Sequence, residues 1–209
     1  NMRPGSVTAA DWGDFAFAVA SGTTTAIAGA SGLPGGIGIG TSTSTTGASN
    51  LYFSKNILNP MFFGAQHIIA SCFVYFPTLS DGTNTYVFSF GLIPSPSSTT
   101  LDVNNSVCIR YGSAVNSGKF EGFSRATGGG ETPVDLGITV AANTNYLLTV
   151  CFDKAISEAR FYIDGVMAGR VTGSMPSGVA VGERAIIKKS AGATARSAVV
   201  ASMMLSTIY

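Results

Sequence analysis

The chain has 209 residues, of which 12 are Lys or Arg and 11 are Asp or Glu, leaving a formal net charge of +1. Charged residues are 11% of the chain, well under the roughly 25% usual for soluble domains. Gly (26), Ser (24) and Thr (21) carry the polarity instead. A chain this neutral, with no basic run, excludes nucleic-acid binding, which needs clustered Lys and Arg. Abundant aromatic and β-branched residues exclude disorder, and the absence of heptads excludes a coiled coil.

The chain opens without the basic start and apolar run of a secretion signal. No charge occurs between Asp14 and Lys55, and Ser21 to Ser49 is dominated by Gly, Ala, Ser and Thr. Trp12, Phe15, Phe17, Val19, Ile27, Leu33, Ile37 and Ile39 are apolar anchors that a flexible linker would lack. Residues 1–36 therefore read as an arm or edge strands packed on the domain or on a neighbouring subunit, and residues 37–209 as the main sandwich. A second uncharged stretch runs from Asn56 to Ser80, but Pro60, Pro77 and Gln66-His67 within it argue against membrane insertion.

From there the periodicity is two. Ile68 to Phe76 is apolar on both faces, the pattern of a central strand covered on both sides. Thr85–Leu92, Ser106–Tyr111, Lys119–Ser124 and Asn145–Phe152 alternate in the same way. Ala159–Ile163 and Val166–Val171 flank Asp164-Gly165, a strong signal for a two-residue hairpin turn with positive φ at both residues. Ala185–Lys189 and Ala198–Leu205 close the series, the last kept as a strand despite its helix-forming Ala, Met and Leu. Turn clusters at Asp81–Asn84, Pro94–Pro96, Asn116–Gly118 and Thr127–Gly130 separate them. Short strands so punctuated predict an all-β, antiparallel β-sandwich. Cys72, Cys108 and Cys151 each sit within an apolar run and read as buried free thiols of a protein made in a reducing cytoplasm.

The segment Arg160-Phe-Tyr-Ile-Asp-Gly-Val-Met-Ala-Gly-Arg-Val-Thr172, followed by Met175-Pro176, resembles the penultimate hairpin of concanavalin A-like (laminin G-like) jelly-roll sandwiches. Thr144–Val150 looks like the strand that precedes it, and Gly40–Gly47 and Val87–Leu92 look like earlier strands. The resemblance is loose over 37–209 and good over 144–176, and it implies fold more than function. The neutral Gly/Ser/Thr texture is similar to that of bacteriophage tail fibre, tail spike and head-decoration proteins.

Chemistry is thinly supplied. Some jelly-roll polysaccharide lyases carry a Gln-x-His strand motif, but here Gln66 and His67 are adjacent and point to opposite faces. The paired carboxylates of jelly-roll glycosidases are missing from any one strand: Glu121, Glu131, Glu158 and Glu183 are isolated, each beside a turn or on a polar face. No cofactor is expected. Calcium is the one cation considered, through Asp81, Asn84 and Asp102, whose oxygens suit a hard ion but whose Asp-Gly and Asn-Asn contexts equally form self-capping turns. Tyr111, the best-exposed aromatic by sequence, with Arg110, Asn104 and Asn105, is the candidate glycan contact. The expectation is a non-enzymatic virion component assembled in the host cytoplasm, a tail fibre or spike domain that binds host-surface glycan. Capsid decoration is the alternative and a jelly-roll glycan-degrading enzyme the second alternative. Other virion subunits are the expected partners, in a homo-oligomer with a trimer favoured.

Overall fold

The computed structural model describes residues 15–53, 61–63, 67–94, 99–101, 103–128, 130–153 and 155–208. They form β1 (Phe15–Ala20), β2 (Thr23–Ile27), β3 (Gly36–Gly40), β4 (Ala48–Phe53), β5 (Met61–Phe62), β6 (His67–Tyr75), β7 (Tyr86–Ile93), β8 (Ser106–Tyr111), β9 (Lys119–Arg125), β10 (Glu131–Thr139), β11 (Tyr146–Asp153), β12 (Glu158–Ile163), β13 (Val166–Val171), β14 (Ala180–Lys189) and β15 (Ser197–Ile208). One sheet has the order β1-β4-β14-β7-β8-β9-β10 with β5 also pairing β14, and the other is β13-β12-β11-β6-β15-β3-β2. Every pairing between named strands is antiparallel. The molecule is a two-sheet β-sandwich.

Alternation explains the core. Ile68, Ala70, Cys72 and Val74 of β6 face Phe88, Phe90 and Leu92 of β7 and Ala185 and Ile187 of β14 across the sheets, all fully buried. Phe76, Phe88, Tyr111, Phe120 and Tyr146 make a chain of tilted and edge-on ring contacts with centroids 4.9–6.4 Å apart, each pair worth about 0.5–1.5 kcal/mol beyond simple burial. Gly122 on β9 leaves room for the Phe161 ring: a Cβ there would stand 2.4 Å from Phe161 Cδ2. At the β12–β13 turn Asp164 (φ 53°) and Gly165 (φ 79°) are both left-handed, and Asp164 Oδ1 accepts the Leu147 N–H at 2.8 Å.

Several expectations are corrected. β10 was not legible, because Pro133, Asp135 and Gly137 break its pattern; it survives as an edge strand, where a proline costs no ladder bond on its free side. β6 is the middle strand of its sheet, yet Ile69 and Phe73 on its outer face are only half covered. All three cysteines are free, but Cys151 lies half-exposed on that outer face. Glu183 lies in the core rather than on a polar face, whereas Glu158, though buried, follows a turn and pairs with Arg160 and Arg170. The chain crosses between sheets at Ser21–Gly22, placing β1 and β2 on the terminal positions of the two sheets. Trp12 and Gln66 lie outside the described residues.

Candidate functional site

The two outer faces differ. On the eight-stranded sheet, Asn50, Ser89, Ile93, Cys108, Phe123, Arg184 and Ile186 all point outward by register, yet all are buried. The loop through Thr100 and Leu101 lies over this face, and Arg184 Nη2 donates to those two carbonyls at 2.8 and 3.4 Å. Nearby, the Arg110 guanidinium stacks 4.5 Å from the Phe123 ring centroid. It bridges Glu121 and Glu131, and Arg125 holds the second oxygen of Glu131. This half-buried network is structural glue for β8, β9 and β10.

The seven-stranded sheet is open on its outer face only in part, since Ser71, Tyr75 and Val199 there are buried. One row across it reads Met167, Tyr162, Thr149, Ser71 and Met204. Met167 and Met204 are 54% and 59% exposed, and the Ser71 and Thr149 hydroxyls are hydrogen-bonded at 2.9 Å. At one end His67 Nδ1 stands 3.2 Å from Asp153 Oδ1, which leaves Nε2 free of that carboxylate. Arg160 bridges Asp153 and Glu158 beside it.

At the other end a trough of about 230 Å³ is lined by Thr23, Thr25, Ile27, Gly38, Gly40, Ala195, Arg196 and Ser197. Its floor is bare backbone. A Cβ on Gly40 would meet Thr23 Oγ1 at 2.4 Å and one on Gly38 would meet Ile27 Cγ1 at 3.1 Å, so glycine keeps the trough open. Arg196 is fixed by its N–H to Thr41 Oγ1 (3.1 Å), by its carbonyl accepting the Thr41 N–H (2.8 Å), and by Nη2 to Asp81 Oδ2 (2.6 Å). Its Nε is buried and finds no hydrogen-bond partner among the described residues. The trough thus offers hydroxyls and an apolar wall, within the dimensions of one sugar ring, with Arg196 anchored at its edge.

The sequence-derived site does not assemble as expected. Tyr111 is buried, not exposed; it points into the core, and its hydroxyl accepts the Ser80 N–H at 3.1 Å. Alternation on β8 sends Arg110 to the opposite side, so the two cannot share a ligand. Asn104 is exposed, and Asn105, left-handed at φ 59°, accepts the Thr127 hydroxyl at 2.8 Å across the β9–β10 loop. Asp81 Oδ1 accepts the N–H groups of Thr83 and Asn84 at 2.8 and 2.6 Å, and Asn84 Oδ1 accepts the Thr194 N–H at 3.0 Å. With Oδ2 on Arg196, this turn does not fit a calcium ion, which needs six or more free oxygens; Asp102 lies outside the described residues. Sequence reading missed the trough. Its one signal was the Gly-x-Gly-x-Gly run of residues 36–40, which lines a groove only once β2 and β15 stand on either side.

The fold is a jelly-roll β-sandwich. Solved structures that share it include the potassium-bound carbohydrate recognition domain of Emp46p, with a TM-score of 0.63, 10% identity, and coverage of 98% of this chain and 94% of that one. Alginate lyase AlyC3 matches with a TM-score of 0.60 and 9% identity over 83% of this chain and 75% of that one. An alginate lyase from Corynebacterium sp. matches with a TM-score of 0.56 and 9% identity over 83% of this chain and 77% of that one. At these identities the likeness is one of fold alone. No family profile and no curated protein matches the sequence.

Proposed function

We propose that this chain is a non-enzymatic, glycan-binding sandwich of a bacteriophage or prophage virion, a tail fibre or spike domain that reaches host-surface glycan. The observation that carries the reading is the trough on the outer face of the seven-stranded sheet, with the exposed row at Met167, Tyr162 and Met204 on the same face. Sugars are held by a flat apolar surface against C–H groups and by donors and acceptors at fixed positions. This face presents both, and the opposite face is covered by its own loop. The fold is shared with a domain named for carbohydrate recognition and with enzymes named for alginate cleavage. Low charge with abundant Gly, Ser and Thr supports a place in an assembly, and a homotrimer made in the host cytoplasm is the form we assign.

A glycan array followed by titration of any hit tests the reading. Tyr162→Ala and Gly40→Ala should each weaken the hit at least tenfold while leaving the thermal midpoint nearly unchanged. An array blank for every glycan, with binding to virions instead, would replace this reading by capsid decoration. Mass measurement in solution checks the trimer.

A second reading, a glycan lyase, is favoured by one observation, the His67–Asp153 pair on the same open face. Against it, His67 and Tyr162 lie two register rows apart, about 13 Å along the strands, too far to serve one bond as base and acid. The assay is the ultraviolet absorbance of unsaturated uronate products from an alginate panel. Activity that disappears in His67→Ala would establish the lyase.

A further inference from the structure

Glu183 sits on the inner face of β14, between the core residues Val181 and Ala185. It is 0% exposed, and among the described residues neither carboxyl oxygen finds a hydrogen-bond partner. Its register neighbour on β7 is Leu92, a core side chain. From the other sheet β6 brings Cys72, also fully buried, whose thiol is pushed well up first by burial and then by the charge of Glu183. Cys72 is flanked on β6 by Ala70 and Val74 and paired on β15 with Met203, all of them apolar. Arg184, the next residue, points to the opposite face, where it donates to Thr100 and Leu101. Among the described residues, the group facing Glu183 that can titrate is therefore a thiol, not a cation.

A carboxylate in such a place would lose its hydration and gain no donor, so the proton stays on. Burial pushes the Glu183 carboxyl up to about 9.

We propose that Glu183 is a proton-dependent latch between the two sheets: protonated, it packs as a core side chain, and on losing its proton it drives β14 away from β6 and opens this part of the sandwich. The inference is independent of the glycan reading. Its sign follows from linkage. A carboxyl raised in the folded state contributes stability that is complete below its unfolded value of about 4.3. That contribution is lost as pH rises to the folded value of about 9. Between the two, each pH unit raises the open-to-closed ratio about tenfold.

The reporter is Cys72, which faces the latch. Its alkylation by iodoacetamide is followed by peptide mass mapping between about pH 7 and 8.5, below the ordinary thiol value. Where reclosing outpaces alkylation, the rate follows the open fraction multiplied by the thiolate fraction. The expected rise is about 100-fold per pH unit in the natural sequence and about tenfold in Glu183→Gln, which keeps the shape and removes the titration. A tenfold rise in both would overturn the latch. If Glu183→Gln does not fold, the slope of the natural sequence alone decides: 100-fold supports the latch and tenfold removes it. Infrared spectroscopy gives a second readout, a protonated-carboxyl band at neutral pH in the folded protein; its absence would overturn the proposal.

Discussion

Asp81 Oδ2 lies 2.6 Å from Arg196 Nη2, joining the turn before β7 to the loop before β15, 115 residues apart in the chain. The same carboxylate caps its own turn, so one side chain shapes the turn and anchors the arginine at the edge of the trough. Hydrogen bonds from the Asn84 and Thr83 N–H groups, then from Arg196, hold the Asp81 carboxyl below its usual range. A lowered carboxyl contributes order above its unfolded value of about 3.9 and loses that contribution as pH falls through the folded one. Asp81→Asn should therefore weaken glycan binding several-fold at neutral pH. It should also remove the drop in affinity expected of the natural sequence below about pH 4. Calorimetric titration at the two pH values checks both.

Glycine substitutions separate trough from core. Gly38→Ala places a methyl group on the trough floor, 3.1 Å from Ile27 Cγ1 on the exposed strand β2, and should reduce glycan affinity with little change in unfolding midpoint. Gly122→Ala would drive a methyl group to within 2.4 Å of the Phe161 ring at the centre of the sandwich. Overpacking of this kind costs about 1–3 kcal/mol. Denaturant melts of the two variants should rank them in that order.

Glu131 ties three strands through Arg110 and Arg125. Desolvation pushes its carboxyl up, but hydrogen bonds from Arg110 and Arg125 outweigh it and hold the group below the usual range. Its stabilising contribution is present above about pH 4.3 and fades as pH falls through the lowered value. Glu131→Gln should cost about 1 kcal/mol at neutral pH, discounted for its partial exposure, and flatten the acid limb of the stability profile. A Glu131→Gln melt identical to that of the natural sequence at pH 7 would show that the network carries no net stability.

The β12–β13 turn supplies a local test. Asp164 combines left-handed backbone with a bond to the Leu147 N–H. Asp164→Asn keeps both and should be nearly neutral. Asp164→Ala loses the acceptor and tolerates positive φ poorly, at a cost of about 1–2 kcal/mol. Thermal melts of the pair check the difference.

Local periodicity decided the architecture. The alternating runs at 106–111 and 166–171 are β8 and β13 to the residue, because a strand with one buried face writes its period into the sequence. Asp164-Gly165 likewise named its own turn, since left-handed backbone at two successive residues restricts the choice of side chain. The site was not legible in the same way. Tyr111 read as exposed because Gly112 and Ser113 follow it, whereas its burial depends on Phe76, Phe120 and Tyr86, at least nine residues away in the chain. Likewise Asp81, Thr41 and Arg196 meet only when the turn before β7 in one sheet packs against the ends of β3 and β15 in the other, and the glycines of β3 become a trough floor only between two flanking strands. Glu183 shows the same limit in the core: the sequence marked a charged residue near a turn, and only the packing of two sheets removed the water that would have ionised it. Composition and period determined that this chain is a neutral, antiparallel sandwich. Long-range packing decided which face stays open, which arginine lines it and which carboxyl keeps its proton, because burial is a property of what covers a residue rather than of the residue itself.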